Sequence, residues 1–310
     1  MNTTKSNTRL DSHADGKSKG LSGRLKAGSD GSRNLLVQAR RLANYGEISR
    51  RTKIAASCPV QSALAISRDA GFRIFAPDTF SEVVAINETA LEVVSRLREE
   101  DLQTKKAQLK QNLLDMKSLT LESPHLRLAL RTDILESVSS YLGVVPVLSD
   151  VDVWYSIPAG ETPANSQLYH CDANDITQIK IFIYANDVSG NSGPLTVIGA
   201  DNSKLIREKV GYTYEGKRKR VKDEKVHEII GDKDQHPIIG PKGTCAFVDT
   251  SRCFHFGSRV QAGAPSRIVT VLQYFTPTSF VFAGNFRDKA PLRHLDDSKL
   301  TPLQKLVLGV

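Results

Sequence analysis

From residue 144 onward the chain is a series of short β-type runs separated by Gly, Pro, Asp and Asn, and this pattern limits the possible folds more than any other feature. Most of the runs follow one another without a helical pattern between them. Short strands at this density are typical of two packed sheets, so we predict a jelly-roll or sandwich core over residues 144–280. The runs are VDVWYSI, QLYHCD, IKIFIYAND, GPLTVIG, TCAFVDT, FHFGSRV and SRIVTVLQYFTP.

One segment departs from the β pattern, the polar stretch over residues 201–236. It is dense in charge of both signs and includes Lys217-Arg218-Lys219-Arg220. Long insertions in compact domains are usually functional lids or disordered loops, so we predict a lid-like insertion. We interpret its basic run as a solvated face rather than a binding patch. Its mixed charge favours a polar or ionised substrate over a bare hydrocarbon.

The region before the β-rich part, residues 61–143, has helical character and is predicted to support the core. A helix and a turn lead into a short strand at Phe72–Phe75. A long helical pattern then covers residues 81–116. A further helix fits His125–Leu142 and is predicted to stop at Gly143. We therefore expect a mainly β domain with flanking helices.

The two ends of the chain are predicted to lie outside this domain, which we place at residues 61–285. Residues 1–60 carry 12 Lys and Arg against 4 Asp and Glu, a surplus of 8 that equals the net charge of the whole chain. Such a basic, Ser- and Gly-rich segment buries little apolar surface, so we predict a disordered extension closed by a short amphipathic helix from residue 34. Nucleic-acid contact through it and an organelle transit peptide are less favoured alternatives. Residues 286–310 are predicted to form a C-terminal tail.

The overall composition indicates an ordinary globular protein, with 40% hydrophobic and 25% charged residues. No run approaches the roughly 20 apolar residues of a membrane helix, and the N-terminus lacks the apolar core of a secretory signal. The four cysteines show no Cys-x-x-Cys spacing, so neither a zinc knuckle nor a thioredoxin motif is indicated. We expect a cytoplasmic protein with reduced thiols and no membrane span.

A candidate metal site lies in the run Tyr169-His170-Cys171-Asp172, which closes one predicted strand and precedes another. Side chains two residues apart on a strand project from the same face, so His170 and Asp172 are placed to bind one ion together. A second histidine, His255, stands between two phenylalanines, where an unpaired imidazole is costly. Two histidines and one carboxylate form the facial triad of non-haem Fe(II) oxygenases, although the same set also suits a catalytic zinc.

A buried cation is also predicted, because Arg267 opens the strongly apolar strand Ile268-Val269-Thr270-Val271-Leu272. A guanidinium that points inward there needs an anionic partner. No acidic residue close in sequence supplies one. We therefore predict that Arg267 pairs with a carboxylate of a ligand.

These residues carry a resemblance to a known family. The order His170-x-Asp172, Lys180-Ile-Phe-Ile-Tyr-Ala-Asn-Asp187-Val, Ser192-Gly193-Pro194-Leu195, His255 and Arg267 resembles the phytanoyl-CoA dioxygenase-like Fe(II)/2-oxoglutarate oxygenases. With Gly71-Phe72 and Tyr141-Leu142-Gly143, the similarity covers roughly residues 65 to 285. The resemblance implies a double-stranded β-helix, Fe(II) bound by His170, Asp172 and His255, and Arg267 paired with the distal carboxylate of 2-oxoglutarate.

Two positions depart from the family pattern. Cys171 stands where some relatives carry a polar residue that contacts the cosubstrate, and Gly257 replaces a hydroxyl residue, although Ser258 is adjacent. Polar candidates for secondary cosubstrate contacts are Gln167, Lys180 and Thr270. Candidate pocket walls, with plain core packing as the equal alternative, are Trp154, Tyr155 and Phe182.

The activity implied by the resemblance is that of a dioxygenase that uses O2 and 2-oxoglutarate to hydroxylate a small organic substrate, releasing succinate and CO2. Asp172 favours hydroxylation over halogenation, because related halogenases carry a small residue at that position. The alternative is a non-catalytic, cupin-like protein that binds a metal or ligand on the same scaffold, since jelly rolls serve many purposes. Neither the motifs nor the resemblance selects a substrate.

Overall fold

The computed structural model describes residues 21–98, 109–158, 162–282, 286–295 and 297–310. In these ranges the helices are α1 Leu21–Ala27, α2 Asp30–Ala43, α3 Tyr45–Ser57, α4 Val83–Ser95, α5 Pro124–Ala129, α6 Thr132–Leu142, α7 Ala200–Val210, α8 Asp223–Ile230, α9 Phe286–Lys289 and α10 Pro302–Leu308. The strands are β1 Phe72–Phe75, β2 Leu109–Lys110, β3 Val147–Ser156, β4 Gln178–Tyr184, β5 Thr196–Ile198, β6 Gln235–Pro237, β7 Cys245–Val248, β8 His255–Phe256 and β9 Arg267–Phe275.

The larger sheet has six antiparallel strands in the order β1-β7-β4-β9-β3-β2. Every residue of β4 is buried, so both faces of this central strand are covered. Alternate residues on that strand, Ile179, Ile181 and Ile183, pack against helices α5, α6 and α10. The intervening side chains, which include Phe182 and Tyr184, face the second sheet.

The smaller sheet has the order β6-β5-β8 and lies over the inner face of the larger one. An isolated antiparallel bridge between His170 and His255 extends it by one strand-like segment. Two antiparallel sheets with apolar inner faces form the predicted jelly roll, flanked by helices. The prediction of the fold is confirmed.

The supporting helices differ from their predicted limits. Of the pattern over residues 81–116, the structure describes α4 and a strand, Leu109–Lys110, that pairs with β3 instead of continuing a helix. Residues 99–108 lie outside the described residues. The predicted helix His125–Leu142 is two helices, since the chain turns at Leu130 and Arg131 between α5 and α6. Gly143 ends α6 as predicted, at φ +69°, a left-handed conformation that glycine adopts without steric cost.

The strand Phe72–Phe75 forms as predicted and pairs with β7. The segment before it was expected to be helical, but residues 61–70 run through turns. At its end, Gly71 has φ +74°. A Cβ at this glycine would lie 2.6 Å from Cys253 Sγ, so the chain requires glycine for packing as well as for the turn.

The basic N-terminal segment differs from the predicted disordered extension. Residues 21–57 form α1, α2 and α3, and both Arg33 and Arg51 are completely buried. Arg51 donates to the carbonyls of Val145 and Pro146 at 3.1 Å and to that of Leu306 at 2.9 Å. The prediction of disorder from composition assumes that arginine side chains are solvated charges. In the structure these guanidinium groups instead donate hydrogen bonds to carbonyl oxygens elsewhere in the domain. Residues 1–20 lie outside the described residues.

The C-terminal segment also packs on the domain. Helix α10 buries Leu306, Val307 and Leu308 in the same apolar cluster as α5 and α6. Thr301 caps this helix by accepting from the backbone N–H of Gln304 at 3.3 Å. The segment predicted as a tail therefore contributes to the helical layer that covers the larger sheet.

The polar insertion over residues 201–236 is ordered. Helices α7 and α8 and the segment between them bury Ile206, Tyr212, Tyr214 and Val226 in an apolar cluster that reaches Tyr169 and Phe254 beside the candidate metal site. Within the described residues, no helix has the length and apolar character needed to cross a membrane.

Candidate active site

The three candidate metal ligands, His170, Asp172 and His255, converge in the structure. The bridge between His170 and His255 is held by backbone hydrogen bonds of 3.0 Å in both directions. Asp172 lies beyond the bridge, where its N–H donates to Thr250 O at 2.8 Å. Each histidine Nε2 lies 3.9 Å from Asp172 Oδ1, and one donor atom from each residue lies within 4.8 Å of the others.

Both imidazoles are oriented by backbone carbonyls. Nδ1 of His170 donates to Leu168 O at 2.9 Å, and Nδ1 of His255 donates to Cys253 O at 3.0 Å. Because a carbonyl only accepts, the proton resides on Nδ1 and the Nε2 lone pair points toward Asp172. Burial lowers the pKa of both histidines, which keeps them neutral. Neutral imidazoles with a free Nε2 are the form that binds metals.

The two oxygens of Asp172 have different surroundings. Oδ1 faces the histidines, while Oδ2 accepts from Lys180 Nζ at 2.9 Å and from Gln178 Nε2 at 3.1 Å. Burial opposes ionisation, but the ion pair with Lys180 holds the pKa of Asp172 well below its usual range. The carboxylate is therefore ionised and turned so that one oxygen is available to an ion. Lys180, predicted as a cosubstrate contact, is paired with this carboxylate.

Arg267 is buried and lacks an acidic partner. Its Nη2 donates to Ser258 Oγ at 3.0 Å and to Ser156 Oγ at 3.3 Å, and its Nε has no hydrogen-bond partner. Burial lowers the pKa of the guanidinium, and the neighbouring Tyr184 hydroxyl partly offsets this. No carboxylate of the described residues forms an ion pair with it. Burying a guanidinium without an anionic partner is costly, so this site favours the binding of an anionic ligand.

The glycine that departs from the family pattern has a steric role here. A Cβ on Gly257 would lie 3.1 Å and 3.3 Å from Nη1 and Nη2 of Arg267, so glycine leaves room for the guanidinium. Ser258 follows at φ +63°, and this turn brings its hydroxyl to Arg267. The adjacent serine thus supplies the hydroxyl that was expected one position earlier.

The other polar candidates lie away from the open space. Gln167 is buried, accepts from Ala164 N–H at 2.9 Å and donates to Ser258 O at 2.8 Å, so it holds the turn that carries Ser258. Thr270 lies on the opposite face of β9 from Arg267, because the two are three residues apart. The prediction of a cosubstrate contact at Thr270 is wrong for that reason.

A cavity of about 1020 Å³ contains the three candidate ligands and Arg267. Trp154 and Phe182 form part of its wall, whereas Tyr155 is on the other face of β3 and does not line it. Tyr214, Lys219 and Arg220 reach the cavity from the insertion. The volume suits a small organic molecule together with a cosubstrate.

Sequence reasoning missed several residues that line or organise this cavity. Ser156 faces Arg267 because the two are register partners across β3 and β9. Asp150 and Gln273 line the cavity from the other end of the same two strands. The sequence does contain a pattern that indicates these residues. One face of β3 is marked by the alternation of polar or aromatic side chains with other residues, at Asp150, Asp152, Trp154 and Ser156.

No family model and no curated protein matches the chain by sequence. Solved structures match it by fold. Apo EctD from S. alaskensis has 16% identity and a TM-score of 0.50, with 72% of this chain and 79% of that chain covered. EctD from S. alaskensis with bound Fe has 17% identity and a TM-score of 0.51 over the same shares. The α-ketoglutarate-dependent epimerase SnoN from nogalamycin biosynthesis has 18% identity, a TM-score of 0.49 and coverages of 68% and 80%. At these identities the likeness to EctD establishes a common fold.

Proposed function

We propose that the chain is an Fe(II)- and 2-oxoglutarate-dependent dioxygenase that hydroxylates a small organic substrate and releases succinate and CO2. One observation carries the proposal. A single cavity holds both an intact two-histidine, one-carboxylate set and a buried guanidinium that has no anionic partner among the described residues.

The donor atoms suit the proposed metal. Two neutral imidazole nitrogens and one carboxylate oxygen are the ligand set of non-haem Fe(II) oxygenases. The set also suits zinc. Arg267 favours iron with a dicarboxylate cosubstrate, because a planar guanidinium pairs with a carboxylate through two parallel hydrogen bonds. The shared fold with EctD, whose structure contains bound Fe, supports this choice.

The bound metal and 2-oxoglutarate supply the activation of O2 and the oxidative decarboxylation that produces succinate. The protein's residues orient the participants. His170, Asp172 and His255 hold the ion, while Arg267, with Ser156 and Ser258, fixes the distal carboxylate of the cosubstrate. The cavity wall excludes water and directs the substrate carbon toward the metal.

The test is anaerobic addition of Fe(II) and 2-oxoglutarate to the purified protein. We expect a weak visible charge-transfer band, because the 2-oxo acid chelates the metal. Arg267→Ala and His255→Ala are expected to weaken or abolish it. His227→Ala is the matched control, since His227 is exposed and its imidazole pairs with Asp232. Iron binding without the band in the wild-type protein would reject the oxygenase and favour a metal-binding protein without turnover.

A further inference from the structure

The basic run of the insertion ends with a residue that differs from the three before it. Lys217, Arg218 and Lys219 are exposed, whereas Arg220 is partly buried where it lines the cavity of the candidate metal ligands. The sequence predicts a solvated face for the whole run. In the structure the fourth residue departs from that prediction and faces the site.

Backbone pairing places Arg220 next to His170. Tyr169 and Val221 form an isolated antiparallel bridge, with hydrogen bonds of 3.1 and 2.9 Å. In an antiparallel pair, the residue after one partner lies opposite the residue before the other, so His170 and Arg220 are cross-strand neighbours. Their Cβ atoms are then about 5 Å apart on one face. Because His170 is itself bridged to His255, Arg220 extends the row of the two histidines.

The hydroxyl of Tyr212 holds this segment against the run that carries the metal ligands. It accepts from Cys171 N–H at 3.0 Å and donates to Lys219 O at 3.1 Å. The Tyr212 ring is buried in the apolar cluster of the insertion. The backbone of Arg220 is thus fixed on both sides, by the bridge at Val221 and by the hydrogen bond at Lys219.

The guanidinium of Arg220 has no anionic partner among the described residues. Its Nη1 donates to the neighbouring carbonyl of Lys219 at 3.0 Å, and its Nε is buried without a hydrogen-bond partner. Burial lowers the pKa of His170 and His255, and the charge of Arg220 contributes to this. A divalent ion bound by these histidines would repel the guanidinium further. An anionic group beside Arg220 is therefore favourable.

Arg220 and Arg267 approach the metal ligands from different directions. Arg267 packs against Gly257, two residues beyond His255 along the chain. Arg220 instead lies across the strands, two strand spacings or about 10 Å from His255 between backbones. An anion at Arg220 therefore leaves the position proposed for the cosubstrate carboxylate, at Arg267, unoccupied.

We propose that Arg220 binds a carboxylate of the substrate and holds it beside the metal site. This rests on the proposed function, because it assigns the second occupant of the same cavity. A guanidinium pairs with a carboxylate through two parallel hydrogen bonds, which fix orientation as well as position. Because Arg220 is the neighbour of a candidate metal ligand, the substrate is a small carboxylic acid whose reacting carbon lies a few bonds from the carboxylate.

Binding can be followed without catalysis by saturation-transfer NMR of the tert-butyl protons of two probes. The probes are 4,4-dimethylpentanoate and 4,4-dimethylpentanamide, which match in shape and differ in charge. Zn(II) and saturating 2-oxoglutarate are present, so that Arg267 is occupied. We expect the carboxylate to bind at least about tenfold more tightly than the amide, because its hydrogen bonds to the guanidinium are charge-assisted.

Substitutions assign the preference to one side chain. Arg220→Met should reduce it to less than about twofold, whereas Arg220→Lys, which keeps the charge but not the planar fork, should give an intermediate value. Lys217→Met is the matched control and should leave the preference unchanged, because Lys217 belongs to the same run but is exposed and does not line the cavity. The affinity for 2-oxoglutarate should be the same in Arg220→Met as in the wild-type protein.

Equal affinity for the two probes in the wild-type protein would overturn the proposal, as would a preference of about tenfold that persists in folded Arg220→Met. A loss of 2-oxoglutarate affinity of about tenfold in Arg220→Met would likewise overturn it, since Arg220 would then hold the cosubstrate.

The outcome is separable from the test of the oxygenase. Repeating the titration in Arg267→Met without 2-oxoglutarate removes the other guanidinium that lacks an anionic partner among the described cavity residues, whether or not a cosubstrate binds. A charge-transfer band without a carboxylate preference rejects only the substrate subsite. A carboxylate preference without the band rejects the oxygenase and leaves an anion-binding cavity.

Discussion

At the scale of single residues, the orientation of Asp172 depends on the pair of donors behind it. Lys180 Nζ and Gln178 Nε2 engage Oδ2 and leave Oδ1 facing the two imidazoles. Hydrogen bonds of this kind behind a metal ligand typically change affinity by about 10- to 100-fold. Lys180→Met is expected to weaken Co(II) binding by about tenfold, measured by isothermal titration calorimetry. Lys242→Met is the control, because Lys242 is exposed. Unchanged affinity in Lys180→Met would show that Gln178 alone orients the carboxylate.

At the scale of elements, helix α2 braces the segment that carries Asp172. Arg33 donates to Ala173 O at 3.2 Å and to Asp175 O at 2.7 Å, and its guanidinium stacks on Tyr214 at 3.6 Å. Arg33→Met leaves these carbonyls without a donor, so we expect a loss of about 2 kcal/mol in the free energy of unfolding by urea. Co(II) binding should weaken as well. Arg41→Met on the same helix is the control, since its side chain forms no hydrogen bond among the described residues. Equal stability of the two variants would argue against a bracing role.

At the scale of the whole molecule, the two histidine ligands and Arg267 belong to different sheets. The histidines pair along the edge of the smaller sheet, whereas Arg267 begins β9 in the larger one. A metal and 2-oxoglutarate bound together would link the sheets and stabilise the native state, by about 2.7 kcal/mol for a ligand at 100 times its dissociation constant. We expect Mn(II) to raise the melting temperature and 2-oxoglutarate to raise it further. Arg267→Met should keep the first shift and lose the second. Glutarate, which lacks the 2-oxo group, should give less stabilisation than 2-oxoglutarate; an equal shift would argue against chelation.

The sequence by itself determined the jelly-roll class, the His170-x-Asp172 pair, the buried position of Arg267 and the strand Phe72–Phe75. These depend on local patterns, namely the period of two along a strand and the cost of burying a charge in an apolar run. The tertiary structure decided the rest. Ser156 meets Arg267, and Gln273 meets Asp150, only through the register of β3 with β9, which joins residues more than a hundred positions apart. Arg33 and Arg51 look like solvated charges in sequence, and become structural donors only because the domain presents carbonyl groups at the right distance.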